Sequence, residues 1–217
     1  MASNISLTGL AKDLSDRAAS GKPVRVGLIG SGEMGTDIVT RAAMMDGVEV
    51  AAISEITPGA AARAVSIAHG EDGHSAEANT TAAQNTVIES GKPALADKAD
   101  AILESGLIDV VIDATGIPAV GAEIGLRAME RGKHLVMMNV EADVTIGAYL
   151  RREADRLGVV YSLGAGDEPS SCMELIEFVT AMGHKVVCAG KGKNNPLNID
   201  AVPEAYMEEA ARRNMNP

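Results

Sequence analysis

Six residues near the start of the chain have the types and spacing of a phosphate-binding turn. The motif Gly30-Ser31-Gly32-Glu33-Met34-Gly35 follows an apolar run, Val24–Ile29, and precedes a segment with helical periodicity, residues 36–45. In such a strand–turn–helix unit the first glycine permits a tight turn, the second admits a pyrophosphate to the backbone, and the third lets the helix pack on the strand. The helix N-terminus then presents free N–H groups to the phosphates. The motif predicts dinucleotide binding by these six residues; the alternative is a glycine turn without a ligand.

A second candidate residue is Glu55, which directly follows the next apolar run, Val48–Ser54. An acid about 20 residues after the glycine motif hydrogen-bonds the adenosine ribose hydroxyls and repels a 2′-phosphate. Glu55 therefore favours NAD as the cofactor. Ser54 and Thr57 are able to bond a phosphate, and Arg63 follows within two helical turns, so NADP stays open. The alternative for Glu55 is a solvated acid at the end of a strand.

Polar residues also follow two later apolar runs, residues 108–114 and 134–140. Because the carboxyl ends of parallel strands line the cofactor crevice, we expect these residues near the ribose and the nicotinamide. They are Thr115 and Gly116 after the first run, and Asn139 with the candidate catalytic acid Glu141 at the second. The alternatives are a plain strand-to-helix turn and, for Glu141, an interaction with a helix dipole.

Two loops of opposite charge follow the last predicted strand. The acids Asp167 and Glu168 are able to bind a divalent cation through oxygen or to act as catalytic acid and base. Lys191, Lys193 and Asn194 suit the phosphate or carboxylate of a substrate, and Lys191 is also a candidate catalytic group. The alternatives are a cap for the following helix and a solvated charged loop. The segment from His69 to His74 is interpreted as a polar loop and not as a metal site.

Composition narrows the class of protein. The 217 residues carry a net charge of -11, with three tyrosines, one phenylalanine and no tryptophan. This composition disfavours nucleic-acid binding, which needs a basic face or stacking aromatics. No apolar run reaches the roughly 18 residues that span a membrane. The two cysteines, Cys172 and Cys188, are expected to be reduced thiols in a cytoplasmic protein.

The arrangement of elements predicts an α/β fold with a doubly wound parallel sheet. Strands are predicted at 24–29, 48–54, 94–96, 108–114, 134–140 and 159–163, and helices at 36–45, 58–68, 97–105, 119–131 and 144–157. We expect Thr57, Asp97 and Asp143 to cap three of these helices. Strands that alternate with helices of this length form right-handed crossovers in a parallel sheet.

The sequence also predicts two domains. Residues 1–164, with an N-terminal helix within 1–20, are expected to form the Rossmann domain. Residues 165–217, with a helix at 170–182, a strand at 186–189 and a helix at 203–213, are expected to begin an incomplete α+β substrate domain.

Several segments together resemble one enzyme family. They are residues 24–35, 109–116 (DVVIDATG), 132–136 (GKHLV), 138–143 (MNVEAD), Tyr161 with 166–169 (GDEP), and 189–193 (AGKGK). In this order they resemble the homoserine-dehydrogenase-like NAD(P)-binding oxidoreductases, and within these the 1-deoxy-D-xylulose 5-phosphate reductoisomerase-like branch. The resemblance covers nearly the whole chain.

The resemblance implies NADPH, a divalent metal such as Mg²⁺ or Mn²⁺, and a phosphorylated sugar substrate of isoprenoid precursor synthesis. Asp167 and Glu168 would fall in the metal or acid–base region, and Lys191 and Lys193 in the region of the substrate anion. We therefore expect an NAD(P)H-dependent oxidoreductase that acts on a small anionic substrate and forms a homo-oligomer. The alternatives are a homoserine dehydrogenase-type enzyme and a cofactor-binding module without catalysis of its own.

Overall fold

A computed structural model describes residues 7–70, 73–164, 170–190 and 198–212. The chain divides into two compact units, Met1–Gly164 and Ala165–Pro217. The first unit contains a seven-stranded sheet in the order β3-β4-β2-β1-β5-β6-β7, and every pair of neighbouring strands is parallel. The predicted α/β fold with a doubly wound parallel sheet is confirmed.

The elements of the first unit alternate along the chain. The strands are β1 Val24–Ile29, β2 Val48–Ser54, β3 Ala76–Glu77, β4 Ala94–Ala96, β5 Val110–Asp113, β6 His134–Met137 and β7 Tyr161–Leu163. The helices are α1 Gly9–Ala19, α2 Glu33–Ala42, α3 Ala60–His69, α4 Thr81–Glu89, α5 Asp100–Glu104, α6 Pro118–Glu130 and α7 Val140–Leu157.

Two apolar clusters hold the sheet between its helices. One cluster joins β1 and β2 to α2 and α3, and the other joins the sheet to α4, α5, α6 and α7. Leu28 belongs to the first cluster and its neighbour Ile29 to the second, because successive side chains of a strand point to opposite faces. The continuous apolar runs in the sequence therefore correspond to strands that are covered on both faces.

The pairing of β1 with β2 contains one irregularity. Val26 pairs with Val50, but the next residue, Gly27, pairs with Ala52, so that Ala51 is an extra residue in β2. Ala51 and Ala52 both pack in the same apolar cluster, as expected where a β-bulge interrupts the alternation of side chains. Beyond the bulge the pairing continues to Ile29 with Ser54.

Three expected helix caps are wrong. The helix α3 begins at Ala60 after Gly59, whose φ of 75° is left-handed, and Thr57 lies outside it. The helix α5 begins at Asp100, while the backbone N–H of Asp97 donates to the Asn79 side chain. Four residues earlier than expected, α7 begins at Val140 because Asn139 and not Asp143 caps it.

The second unit differs from expectation at one predicted strand. Its described residues form α8 Ser170–Ala181, a 3₁₀ turn Pro203–Ala205 and α9 Met207–Arg212. Residues 186–189 are not a strand, and Val187 is 97% exposed. Valine-rich composition favours β structure, but a strand also needs a neighbour to pair with, and this segment pairs with none of the described strands. In the part of the chain that the structure describes, no helix is long and apolar enough to cross a bilayer.

Candidate functional site

The loops that carry the candidate residues meet at the carboxyl edge of the sheet. Backbone hydrogen bonds join them in sequence across the edge: Gly30 N–H donates to Ser54 O at 2.9 Å, Ala114 N–H to Ile29 O at 2.8 Å, and Met138 N–H to Asp113 O at 2.9 Å. The structure therefore brings the ends of β1, β2, β5 and β6 together, as expected for parallel strands with a crevice at their carboxyl ends.

The glycine turn after β1 is shaped by backbone contacts. Gly30 has a left-handed φ of 91°, a conformation that favours glycine. A Cβ atom at Gly35 would lie 2.2 Å from the carbonyl oxygen of Gly30, so the first turn of α2 passes directly against the loop. A Cβ atom at Gly32, by contrast, would meet nothing within 4 Å. The turn thus leaves open space at Gly32, which is the N-cap of α2.

This open space adjoins the N-terminus of α2. The first N–H groups of a helix have no partner within the helix, and they carry the positive end of the helix dipole. Glu33 and Met34 are the first two residues of α2, and both are exposed at this edge. Ser31 is 3% exposed, and its hydroxyl donates to Glu55 Oε2.

Glu55 is bound to the glycine turn. Its Oε2 accepts hydrogen bonds from the N–H of Ser31 at 2.7 Å and from the Ser31 hydroxyl at 2.9 Å, and its Oε1 accepts from the N–H of Thr57 at 2.8 Å. A carboxylate offers about four acceptor positions, so these bonds leave room for a further donor such as a ribose hydroxyl. Sequence reasoning placed Glu55 at this edge but missed its contact with Ser31, which lies 24 residues earlier in the chain.

Hydrogen bonding controls the ionisation of Glu55. Burial of the carboxyl opposes ionisation, but the bonds from Thr57 and Ser31 together outweigh burial, so the pKa of Glu55 lies below its usual value. A carboxyl whose pKa is lower in the folded than in the unfolded state stabilises the fold above the unfolded pKa.

Glu55→Gln is therefore expected to change the pH dependence of stability. The contribution of Glu55 is complete above the ordinary glutamate pKa of about 4.3 and is lost as the pH falls through the lowered folded value. The free energy of unfolding should thus be higher for the parent than for Glu55→Gln at neutral pH, and the gap should narrow below about pH 4.3. Urea denaturation of both proteins at a series of pH values measures this gap. A gap of constant size would show that the Glu55 carboxyl does not titrate differently on folding.

A second buried acid, Asp113, ends β5. Its side chain is 0% exposed. Its Oδ1 accepts from the N–H of Thr115 at 3.3 Å, and its Oδ2 accepts from the amide of Asn139 at 3.2 Å. Burial raises the pKa of Asp113, and these hydrogen bonds oppose the rise only in part. Sequence reasoning did not include Asp113 in the site; the available signal was an acid at the end of an otherwise apolar strand.

The other predicted residues at this edge differ in accessibility. Gly116 and Glu141 are exposed, and Thr115 is partly buried. Asn139 is only 1% exposed, and its Oδ1 accepts from the N–H of Ala142 at the start of α7. Contact of these residues with a cofactor stays a prediction; for Asn139 the structure shows a capping role.

Asp143, expected as a helix cap, is instead bonded to a tyrosine. The hydroxyl of Tyr161 in β7 donates to its Oδ1. Burial, followed by this hydrogen bond, raises the pKa of Tyr161 far above its usual value. Tyr161 therefore stays protonated at neutral pH and serves as a hydrogen-bond donor to Asp143.

The predicted metal and substrate residues lie outside the described part of the chain: Asp167, Glu168, Lys191, Lys193 and Asn194. Among the described residues, no group of three histidine, cysteine, aspartate or glutamate side chains is placed to hold a metal ion. The rings of His69 and His74 stack with their centroids 3.9 Å apart.

Comparison with known proteins identifies the family of the first unit. The model of the homoserine dehydrogenase NAD-binding domain matches residues 30–163, more than half of the chain. The chain belongs to this family. This homoserine dehydrogenase-type NAD-binding domain is followed by a segment, residues 166–217, that matches the catalytic domain of oxidoreductase DRL. The homoserine-dehydrogenase-like part of the predicted resemblance is confirmed, and the reductoisomerase-like branch stays a prediction. No match was found among curated proteins.

Solved structures similar to this NAD-binding family member share its fold. They include an NAD-binding oxidoreductase from Klebsiella pneumoniae (19% identity, TM-score 0.51) and a homoserine dehydrogenase from Thiobacillus denitrificans (20%, 0.50). A third is the WlbA dehydrogenase from Bordetella pertussis, solved with NADH and UDP-GlcNAcA (18%, 0.50). Each alignment covers 74% of this chain but only 39%, 34% and 42% of the respective structure. The chain thus spans less than half of the length of each of these proteins.

Proposed function

We propose that this chain binds NAD(H) or NADP(H) at the carboxyl edge of its sheet and supports hydride transfer in an NAD(P)-dependent oxidoreductase. The observation that carries the proposal is the open space at Gly32, at the N-terminus of α2, in a turn where Gly35 closely approaches Gly30. A turn whose first and third glycines pack closely, while the second has free space beside it, is suited to a diphosphate bound by backbone N–H groups.

The remaining residues of the edge fit the two halves of such a cofactor. We place the adenosine ribose beside Glu55, which accepts a hydrogen bond from the glycine turn. Thr115, Gly116 and the start of α7 with Glu141 lie after β5 and β6, on the opposite side of β1, where we place the nicotinamide half. A bound nicotinamide supplies the hydride, and the protein orients it and supplies the electrostatic environment.

The anionic substrate and the metal are proposed from the sequence. Lys191, Lys193 and Asn194 would bind the anionic group, and Asp167 and Glu168 would hold Mg²⁺ or Mn²⁺ or transfer a proton. The match of residues 166–217 to an oxidoreductase catalytic domain supports a substrate site in this segment. A sugar phosphate of the reductoisomerase-like type is our first proposal for the substrate. A homoserine-type substrate is the second, supported by the family of the first unit.

Parallel fluorescence titrations with NADH and NADPH test the proposal directly. Saturable binding of at least one of them in the micromolar range is expected, whereas absence of binding of both would contradict it. Oxidation of NAD(P)H in the presence of sugar phosphates or of aspartate semialdehyde would show catalysis by this chain. Tight cofactor binding without turnover would instead favour a cofactor-binding module.

Glu55→Ser is expected to shift the cofactor preference toward NADPH. Loss of the carboxylate removes its repulsion of a 2′-phosphate, and each ~1.4 kcal/mol of relieved repulsion raises the NADPH/NADH affinity ratio about tenfold. The ratio is the informative quantity, because both cofactors share any cost of losing the bonds to Ser31 and Thr57.

Glu49→Ser is the matched control for this substitution. Glu49 lies near the other end of β2, paired with Arg25, and its replacement changes the net charge by the same amount. An affinity ratio that moves equally in both variants would reflect net charge, and an unchanged ratio in Glu55→Ser would place Glu55 outside the adenosine pocket.

A further inference from the structure

A buried polar pair links two segments of the carboxyl edge. Asp113, the last residue of β5, is 0% exposed, and Asn139, the residue before α7, is 1% exposed. The Asn139 amide donates to Asp113 Oδ2 at 3.2 Å across 26 residues of chain. We refer to Asp113 and Asn139 together as the buried pair.

Each member of the buried pair also holds the backbone beside it. Asp113 Oδ1 accepts from the N–H of Thr115 at 3.3 Å, which fixes the loop after β5. Asn139 Oδ1 accepts from the N–H of Ala142 at 3.1 Å, which fixes the first turn of α7. Three hydrogen bonds in series therefore connect the loop after β5 with the helix after β6.

The helix α6 closes over the buried pair. A Cβ atom at Gly121 would lie 2.4 Å from Asp113 Oδ2 and 2.9 Å from Asn139 Nδ2, so only a glycine permits this approach. The pair is thus held by packing as well as by hydrogen bonds. A buried carboxyl is costly to desolvate, and an apolar pair of similar size would fill the same space without that cost. We therefore expect the hydrogen bonds of the buried pair to contribute geometry more than stability.

We infer that Asp113 is a positioning residue of the cofactor site: through the buried pair it fixes the spacing between the loop carrying Thr115 and Gly116 and the first turn of α7. These two segments form the nicotinamide side of the crevice in the proposed function, on which this inference rests. The adenosine side, built from the glycine turn and Glu55, makes none of these bonds. Disturbing the buried pair should therefore affect one half of the cofactor only.

Single substitutions break one bond each. Asp113 accepts hydrogen bonds from both Thr115 and Asn139. In Asp113→Asn the side chain has only one acceptor oxygen, so it is able to accept from only one of these two donors. In Asn139→Ser the hydroxyl is still able to cap α7 but no longer reaches Asp113. We expect both variants to weaken the binding of the preferred cofactor, NADH or NADPH, on the order of tenfold, as for loss of one buried hydrogen bond. The affinity for ADP, which occupies the adenosine side alone, should stay within about twofold of the parent.

The double variant Asp113→Asn with Asn139→Asp, in which the two residues of the buried pair are exchanged, is expected to restore the binding lost in the single variants. Asn at 113 donates to the carboxylate at 139 and still accepts from Thr115, and the carboxylate accepts from Ala142 at a helix N-terminus, which favours negative charge. All three bonds are restored with the charge on the other partner. We expect cofactor affinity to return to within about threefold of the parent.

Calorimetric titration of each protein with the preferred cofactor and with ADP, together with thermal unfolding, decides the inference. Equal loss of affinity for cofactor and for ADP would indicate general destabilisation and would overturn it. An exchanged pair that folds but binds as weakly as the single variants would overturn it as well, as would parent-like affinity in Asn139→Ser. If the parent binds neither NADH nor NADPH, the proposed function itself fails, and the inference with it.

Discussion

Gly32→Val is expected to abolish the binding of NADH and NADPH while the protein stays folded. A Cβ atom at Gly32 would meet nothing within 4 Å, and the φ of -64° is not left-handed. The side chain would therefore fit the protein, but it would occupy the space in front of α2 that the diphosphate needs. We expect the Kd for both cofactors to rise at least ~100-fold. Valine at a helix N-cap costs roughly 1 kcal/mol of stability.

Gly106→Val is the matched control for this experiment. Gly106 likewise has open space around its Cβ position and no left-handed φ, and it lies in the turn between α5 and β5. Fluorescence titration should give parent-like affinity for Gly106→Val and no saturable binding for Gly32→Val. A folded Gly32→Val protein with the affinity of the parent would exclude a dinucleotide from the glycine turn.

Gly35→Ala is expected to have the largest effect on stability. A Cβ atom there would lie 2.2 Å from the carbonyl oxygen of Gly30 and 2.9 Å from its carbonyl carbon. Both are backbone atoms. Gly30 has little room to move away, because its N–H is bonded to Ser54 O and a Cβ atom added at Gly30 would lie only 2.8 Å from Ala114 O. We expect a loss of about 1–3 kcal/mol or more, with a decrease in Tm of roughly 2–4 °C per kcal/mol for a chain of this size.

Gly32→Ala is the control for the alanine substitution, because it adds the same methyl group three residues away in open space. Urea denaturation should give a clearly lower midpoint for Gly35→Ala than for Gly32→Ala. Equal midpoints would mean that α2 does not approach the glycine turn as closely as the structure shows.

The fold and the location of the site were predictable because their signals are local. The run Val24–Ile29, the glycine motif and the following helix occur within 20 residues, and their order is enough to predict a strand, a turn and a helix N-terminus. The bonds of Glu55 to Ser31 and of Asp113 to Asn139 join residues 24 and 26 positions apart. No local pattern specifies such pairs, since they depend on which strands become neighbours.

The errors have a related cause. Asn139 and Asp143 are both good N-cap residues; in the structure Asn139 caps α7, and Asp143 accepts from the hydroxyl of Tyr161, 18 residues away. Val186 and Val187 have a high β propensity, which favours a strand. A strand also needs a neighbouring strand to pair with, and the sequence of one segment does not show whether such a neighbour exists.

The bulge in β2 gives the two ends of that strand different registers of pairing with β1. Before the bulge, Arg25 pairs with Glu49, and after it Ile29 pairs with Ser54, so that Glu55 arrives beside the glycine turn. Ala51 is the surplus residue between the two registers. Deletion of Ala51 is expected to make the pairing regular and to leave the register at both ends as it is. We therefore expect a variant that lacks Ala51 to keep Glu55 beside the glycine turn.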